Sequence, residues 1–168
     1  MKTNLSNLMS IAAEEEKRFM EYNYQVKEHT HSTSTQELDG TITIIEDYKE
    51  DFEKEFEAFK KSQEKISKVK AILYEKNNSF KLPDGRTIQQ AIVDNNTLRH
   101  MKSLYGYLIT QKSNKRRITE VNNSYFECRT VNYDVDALKA EYNKLVQKIQ
   151  NTDFEISKLN SIEFDADI

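Results

Sequence analysis

The sequence has few of the residues that interrupt or cross-link a chain. Its 168 residues contain one proline, three glycines and no tryptophan. So little turn-forming material excludes a fold built from many short elements. The single cysteine, Cys128, excludes an intramolecular disulfide. No apolar run approaches the roughly 18 residues that a membrane-spanning helix needs, and residues 1–13 show no signal-peptide pattern. These absences predict a soluble, cytoplasmic protein.

An excess of charge of one sign is also missing. Lysine and arginine together number 25 against 28 acidic residues, which gives a net charge of −3. No overall basic charge concentrates the chain on nucleic acid, so nucleic acid is not expected as a partner, although a local basic patch is not excluded. Charged residues make up 32% of the chain and hydrophobic residues 37%. This balance is typical of long helices that bury one stripe and expose the rest.

Helical periodicity is the strongest positive signal. From Val135 to Leu159 apolar residues recur at alternating steps of three and four, which keeps one stripe on one side of a helix. β-Branched and aromatic residues around Asn122–Ser124 predict a short β-hairpin or an extended arm. The predicted elements are helices at about 4–29, 44–76, 87–112 and 134–160, a loop over 30–40 and a β-arm over about 115–131. The sequence thus predicts a mainly α fold in a single domain, 1–168: an elongated antiparallel helical bundle of coiled-coil-like long helices.

Four segments in the second half of the chain follow one another in a distinctive order. They are the turn Asp84–Thr87, the helix opening IQQAIVDNN from Ile88, the segment VNYDVDAL from Val131 and the closing DFEISKLN from Asp153. In this order they resemble a bacterial family labelled septicolysin, whose members are small, mostly helical proteins of unknown function. The family's arginine-rich run is reduced here, and the tryptophan that often follows its closing segment is absent. The resemblance implies a self-associating protein with no established catalytic residue, and the label implies a lysin.

The turn Asp84-Gly85-Arg86-Thr87 is the most distinctive local motif, and it has two interpretations. Arg86 and the free N–H groups of a helix start could bind an anion. Alternatively, Gly85 takes a positive φ in a turn while Thr87 or Asp84 caps the third helix. Capping explains all of these residue types, so the structural interpretation is favoured over the ligand site.

A second candidate ligand site is the basic segment before the last helix. Lys115, Arg116 and Arg117 precede two aromatic residues, and this combination can bind a nucleic-acid strand or a small anion. The simpler interpretation is that these cations follow the C-terminus of a helix and are solvated. The candidate ligand-binding residues are Asp84, Arg86, Thr87, Lys115, Arg116, Arg117 and Arg129.

No pattern in the sequence indicates catalysis or a metal site. His29 and His31 lie beside a Ser- and Thr-rich segment, without a third ligand at a recognised spacing. His100 is alone in its helix and is expected to be solvated or at an interface. Cys128 has no histidine partner, so a half-buried strand cysteine is expected. We therefore expect no enzymatic activity, no cofactor and no metal.

The leading functional hypothesis is a homo-oligomeric interaction or structural protein. Several long amphipathic helices carry more apolar stripe than one chain can cover, and self-association, or a protein partner, would bury the surplus. A membrane-active protein is less expected, because the polar helix faces mix Glu and Lys evenly. The candidate core and interface residues are Phe19, Phe52, Phe56, Phe59, Leu98, Leu104, Leu145 and Ile149.

Overall fold

The computed structural model describes residues 1–121 and 123–168. Within those residues the protein is mainly helical, with small antiparallel β-hairpins. The helices are α1 (Leu5–Glu28), α2 (Lys49–Ser79), α3 (Ile88–Leu108) and α4 (Val135–Asn160). The strands are β1 (Lys2–Thr3), β2 (Thr33–Gln36), β3 (Ile42–Glu46), β4 (Asn114–Thr119), β5 (Ser124–Arg129) and β6 (Phe164–Asp165). The strands pair antiparallel as β1 with β6, β2 with β3 and β4 with β5.

The described residues form two compact units. The first comprises residues 1–80 and 159–168, and the second comprises residues 81–158. Compact units are not the same as independently folding domains, so the single domain over 1–168 stays a prediction.

The core of the first unit lies between α1 and α2. Leu8, Ala12 and Val69 form its buried centre, and Ile11, Ile72 and Leu73 pack around them. Further along, the rings of Phe19 and Phe59 stack with their centroids 4.3 Å apart. Later residues of α1 meet earlier residues of α2, so the two helices are antiparallel. Their amphipathic faces therefore cover each other along most of α1.

The chain ends are tied together in this first unit. Lys2 and Thr3 pair with Asp165 and Phe164, and the N-terminal ammonium donates to the carbonyl of Ala166 at 2.8 Å. The ring of Phe164 lies against Phe80 and packs on the α1–α2 core.

The second unit is built on α3 and α4. Ile88 and Ala91 on α3 are buried, as are Leu145 and Ile149 on α4. The carboxylate of Asp134 accepts backbone N–H groups at 2.9 and 3.0 Å just before α4 begins, which confirms the predicted cap. The β4–β5 hairpin lies between the two helices in sequence, as the predicted β-arm does; Asn122 of its predicted turn lies outside the described residues.

Two predicted boundaries are wrong. The predicted loop over 30–40 contains β2, and the second helix begins at Lys49 rather than near residue 44. Ile42, Ile44 and Ile45 fall in β3, because consecutive β-branched residues favour an extended backbone over a helix. The third helix ends at Leu108 rather than near residue 112. There the Thr110 N–H and hydroxyl both turn back to the carbonyl of Tyr107.

The candidate core and interface residues differ in burial. Leu145 and Ile149 are buried, whereas Phe56 is 39% and Leu104 55% exposed. Phe56 and Leu104 are therefore not core residues, and an interface role for them stays a prediction. The half-buried candidates are Phe19, Phe52, Phe59 and Leu98.

Candidate functional site

The Asp84–Thr87 turn is a cap, as the favoured interpretation predicts. Gly85 has a φ of +88°, a conformation in which any Cβ would be strained. The Thr87 hydroxyl accepts the Gln90 N–H at 3.1 Å, and the Gln90 side chain accepts the Thr87 N–H at 2.9 Å. These reciprocal bonds form a capping box at the start of α3.

Arg86 in this turn is already neutralised. Its guanidinium donates to Asp84 Oδ2 at 2.7 and 2.9 Å and to Asp94 Oδ2 at 2.7 Å. The hydrogen bonds from Arg86 hold the pKa of the Asp84 carboxyl below its usual range, and the two carboxylates raise the pKa of Arg86. An incoming anion would have to displace a carboxylate. The anion site over Asp84, Arg86 and Thr87 stays a prediction, with this competition against it.

An open groove of about 460 Å³ runs beside the same turn. Asp84 and Glu155 are its charged lining residues, and the ring of Phe154, which is 61% exposed, lines it on the α4 side. Both carboxylates are already paired, Asp84 with Arg86 at 2.7 Å and Glu155 with Lys158 at 2.8 Å. The Lys158 ammonium also lies 4.3 Å from the centroid of the Phe154 ring, so these lining groups already have cationic partners within the chain.

The β4–β5 hairpin sorts its charges by face. Lys115 pairs with Cys128 and Arg117 with Phe126 in the strand register, so these four side chains share one face, which we call the basic face. The Lys115 ammonium lies 4.2 Å from the centroid of the Phe126 ring. No carboxylate pairs with Lys115 or Arg117 among the described residues.

The opposite face of this hairpin is compensated. Glu127 Oε2 accepts from Arg116 at 3.1 Å, and its Oε1 lies 3.5 Å from Nε of Arg129. Of the four predicted basic residues in the arm, two are thus paired and two, Lys115 and Arg117, stay open. The expectation of a half-buried Cys128 is wrong, because both faces of this two-stranded sheet are open to solvent and its thiol is exposed.

Sequence reasoning missed the β2–β3 hairpin, whose isoleucines are exposed. Ile42, Ile44 and Ile45 are 62%, 62% and 59% exposed. Gly40, with a φ of +91°, makes its turn together with Asp39, whose carboxylate accepts the Thr41 N–H at 2.9 Å. The sequence signal was present in the run TITII after a glycine.

His29 and His31 do not converge. His29 Nδ1 lies 2.8 Å from Glu55 Oε2, and its ring stacks on Tyr48 with the centroids 4.6 Å apart. His31 contacts the hydroxyl of Thr30 instead. Across the part of the chain that the structure describes, no group of three or more His, Cys, Asp or Glu side chains is placed to hold a metal ion.

Glu15 is a second feature that the sequence analysis missed. Its side chain is only 7% exposed between α1 and α2, where Oε1 accepts from Lys65 at 2.7 Å and from Arg18 at 2.9 Å. The hydroxyl of Ser62 donates to the Glu15 carbonyl at 3.2 Å. The Lys65 hydrogen bond lowers the pKa of the Glu15 carboxyl against the opposing effect of burial. The available signal was a glutamate at the buried spacing of Leu8 and Ala12.

Asn95 plays a comparable part between α3 and α4. It is fully buried, and its Nδ2 donates to the Ile149 carbonyl at 3.2 Å and to Asp153 Oδ1 at 2.9 Å. Arg99 holds both oxygens of Asp153 at 2.8 Å. This network couples the inner face of α3 to the backbone of α4.

The side of α3 that points away from this network is exposed. Val93, Thr97, His100, Leu104 and Tyr107 lie on it, and we call this stripe the α3 outer face. Val93 is 56%, Leu104 55% and Tyr107 62% exposed. His100 lies at its middle, consistent with the solvated or interface position expected for it.

None of the described helices is long and apolar enough to cross a membrane.

Comparisons with other proteins establish a family but no activity. A family model described as a family of unknown function, DUF6847, matches residues 45–162. A solved structure from Corynebacterium diphtheriae, described as a functionally unknown conserved protein, is similar with a TM-score of 0.64 and 14% sequence identity. That similarity covers 98% of this chain and 100% of the other, and at this identity it concerns the fold alone. No curated protein matches the chain. Neither match is described as a septicolysin, so that resemblance stays a prediction.

Proposed function

Since the chain belongs to the family of unknown function DUF6847, we propose a role from its surfaces: a non-enzymatic, helical interaction protein that associates with itself. The proposal includes the coiled-coil-like helix pairing, the homo-oligomer and the cytoplasmic location that the sequence predicts.

The observation that carries the proposal is that large apolar side chains are exposed in groups. Single exposed apolar residues are ordinary on a soluble protein, whereas contiguous groups mark interaction surfaces. Ile42 and Ile44 form one such group on one face of the β2–β3 hairpin, and the α3 outer face forms another.

The β2–β3 hairpin adds a second line of support. An isolated two-stranded hairpin is marginally stable in water unless a further layer covers it. All nine residues of β2 and β3 are exposed. A protein surface that covers Ile42 and Ile44 would reduce the apolar exposure and would supply the covering layer that the hairpin lacks.

A non-enzymatic role is supported by the way in which polar side chains are used. Arg86 is held by two carboxylates, and His29 is held between Glu55 and the ring of Tyr48. Each of these groups satisfies a neighbour of its own chain, so neither is poised to act on a substrate.

Static light scattering over a concentration series tests the proposal. We expect a mass above 19.8 kDa at micromolar concentration that falls on dilution. A mass of one chain at every concentration up to about 100 μM would overturn the proposal. The dissociation constant of any dimer would then lie above about 100 μM, which is weaker than a transient interface needs.

A second candidate function, binding of an anionic ligand or strand, is favoured by the basic face alone. Lys115 and Arg117 are open cations beside the exposed ring of Phe126, a combination that suits single-stranded nucleic acid. The variant Lys115→Ala with Arg117→Ala should elute from heparin at lower salt than the wild type. The matched control is Arg116→Ala with Arg129→Ala on the opposite face, which removes the same charge from two residues that both pair with Glu127. Equal effects of the two pairs would reject a site on the basic face.

A further inference from the structure

The α3 outer face is unusual in this chain because it lacks charge. Charged residues make up 32% of the sequence, yet the five residues of the stripe include no Asp, Glu, Lys or Arg. The positions that flank the stripe are also uncharged, apart from Asp94, which Arg86 already pairs at 2.7 Å. The flanking residues are Asp94, Asn96, Met101, Ser103, Leu108 and Thr110.

The spacing of the stripe is that of a helix-pairing seam. Val93, Thr97, His100, Leu104 and Tyr107 follow one another at steps of four, three, four and three. The buried residues Ile88, Ala91 and Asn95 lie on the opposite side of the helix, against α4. Helix α3 therefore carries two packing faces, of which α4 uses one.

Building on the self-association proposed above, we propose that two copies of the chain pair antiparallel through the α3 outer face, with the two-fold axis passing at His100. The stripe is nearly symmetric about this residue: Val93 and Tyr107 each lie seven residues from it, while Thr97 and Leu104 lie three and four residues from it. Antiparallel pairing brings Val93 against Tyr107 of the second copy and Thr97 against Leu104. The two His100 rings then meet at the axis, as an isologous interface requires.

Charge favours this orientation over the parallel one. Parallel pairing in register would align the two helix dipoles, so that like partial charges lie side by side at each end of the pair. Antiparallel pairing sets Asp94 near Leu108 of the second copy and the two Met101 side chains near each other. It also places the two helix dipoles in opposite directions. No like charges then face each other across the seam.

The size of the seam predicts a weak contact. The fourteen residue steps from Val93 to Tyr107 span about 21 Å at about 1.5 Å per residue. An interface one helix wide and this long buries an area at or below the smallest areas of specific interfaces, and interfaces of that size are transient. The dimer should therefore exchange with monomer in the micromolar range.

Site-specific disulfide formation tests the pairing. In a Cys128→Ser background, His100→Cys places a single thiol at the proposed axis, where a two-fold brings the pair within disulfide reach. The control is Gln147→Cys, an exposed position on α4, in the same background. Under air oxidation we expect a disulfide-linked dimer at least tenfold faster for the first variant than for the control.

A second variant does not depend on a thiol. Leu104→Glu should raise the dissociation constant measured by light scattering at least tenfold, whereas Gln147→Glu should leave it within twofold. Circular dichroism establishes that each variant retains its helices. If the wild type associates but His100→Cys cross-links no faster than the control, or Leu104→Glu associates normally, the pairing is wrong while self-association stands. If the wild type is monomeric throughout, both proposals fail.

Discussion

At the scale of single residues, Glu15 shows how a charge can be part of a packed helix pair. Its carboxylate is nearly buried, but Lys65 and Arg18 reach it from positions that are 45% and 54% exposed. Their ammonium and guanidinium groups stay partly hydrated, so the ion pair does not carry the full cost of burying two charges. A glutamate here fixes the register of α1 against α2 more narrowly than an apolar residue would, because its carboxylate accepts a directional hydrogen bond from Lys65 on α2.

The lowered pKa of Glu15 gives a prediction with a definite sign. Glu15→Gln should destabilise the protein by about 1–2 kcal/mol at pH 7, since a charge-assisted hydrogen bond contributes on that order. A carboxyl whose folded pKa lies below its ordinary value of 4.5 adds stability that is complete above that value. The added stability is lost as the pH falls through the folded value. The difference in the free energy of unfolding between variant and wild type should thus be constant from pH 7 to about pH 5 and should shrink below pH 5.

Urea unfolding followed by circular dichroism at several pH values measures this difference. Glu14→Gln, one residue away on an exposed part of α1, is the matched control and should change stability by less than about 0.5 kcal/mol. A gap between Glu15→Gln and wild type that persists unchanged at pH 3 would show that the charge of Glu15 is not the cause.

At the scale of elements, sequence periodicity was sufficient to predict a helix where its apolar residues form one simple stripe. The capping residues Thr87 and Asp134 marked the starts of α3 and α4 because their side chains accept orphan N–H groups, a local interaction that needs no tertiary information. The β2–β3 hairpin was missed because Ile44 and Ile45 also fit the spacing of the helix that follows. Local β-propensity decides that segment, and it is weak evidence before the pairing of β2 is known.

Contacts between residues distant in the sequence could not be predicted for a different reason. Nothing local links Glu15 to Lys65, or Asn95 to Asp153, because these pairs meet only when helices pack. The compensation of Arg86 by Asp94 and the open state of Arg117 likewise depend on rotamers and strand register. The candidate site could therefore be predicted as a set of residues, but its division into paired and open charges could not.

The contact between α3 and α4 includes one fully buried polar side chain, that of Asn95. Asn95→Ala should lower the free energy of unfolding by about 2–3 kcal/mol. It removes two hydrogen bonds, including the one that Asn95 Nδ2 donates to the Ile149 carbonyl. Asn96→Ala, the same substitution at the exposed neighbouring position, should stay within about 0.5 kcal/mol. Thermal unfolding of the two variants side by side measures the difference. Equal melting temperatures would mean that apolar packing alone holds α3 to α4.

At the scale of the whole molecule, the exposed surfaces are of two kinds. The α3 outer face and the isoleucines of the β2–β3 hairpin expose apolar groups, whereas the basic face exposes cations around an aromatic ring. Salt acts on these surfaces in opposite ways. Ions screen exposed charges within about 3 Å at 1 M, but salt does not weaken the burial of apolar area.

Self-association and anion binding should therefore separate when salt is raised. Dimerisation through the uncharged α3 outer face should keep its dissociation constant within about threefold between about 0.1 and 1 M NaCl, because no charge pair crosses the proposed seam. Heparin retention through Lys115 and Arg117 should be lost over the same range, since each contact to an anion releases a counterion. Light scattering and heparin elution on one preparation measure both. A dimer that dissociates in 1 M NaCl would place charged surfaces in the interface and would rule out the α3 outer face as its main contact.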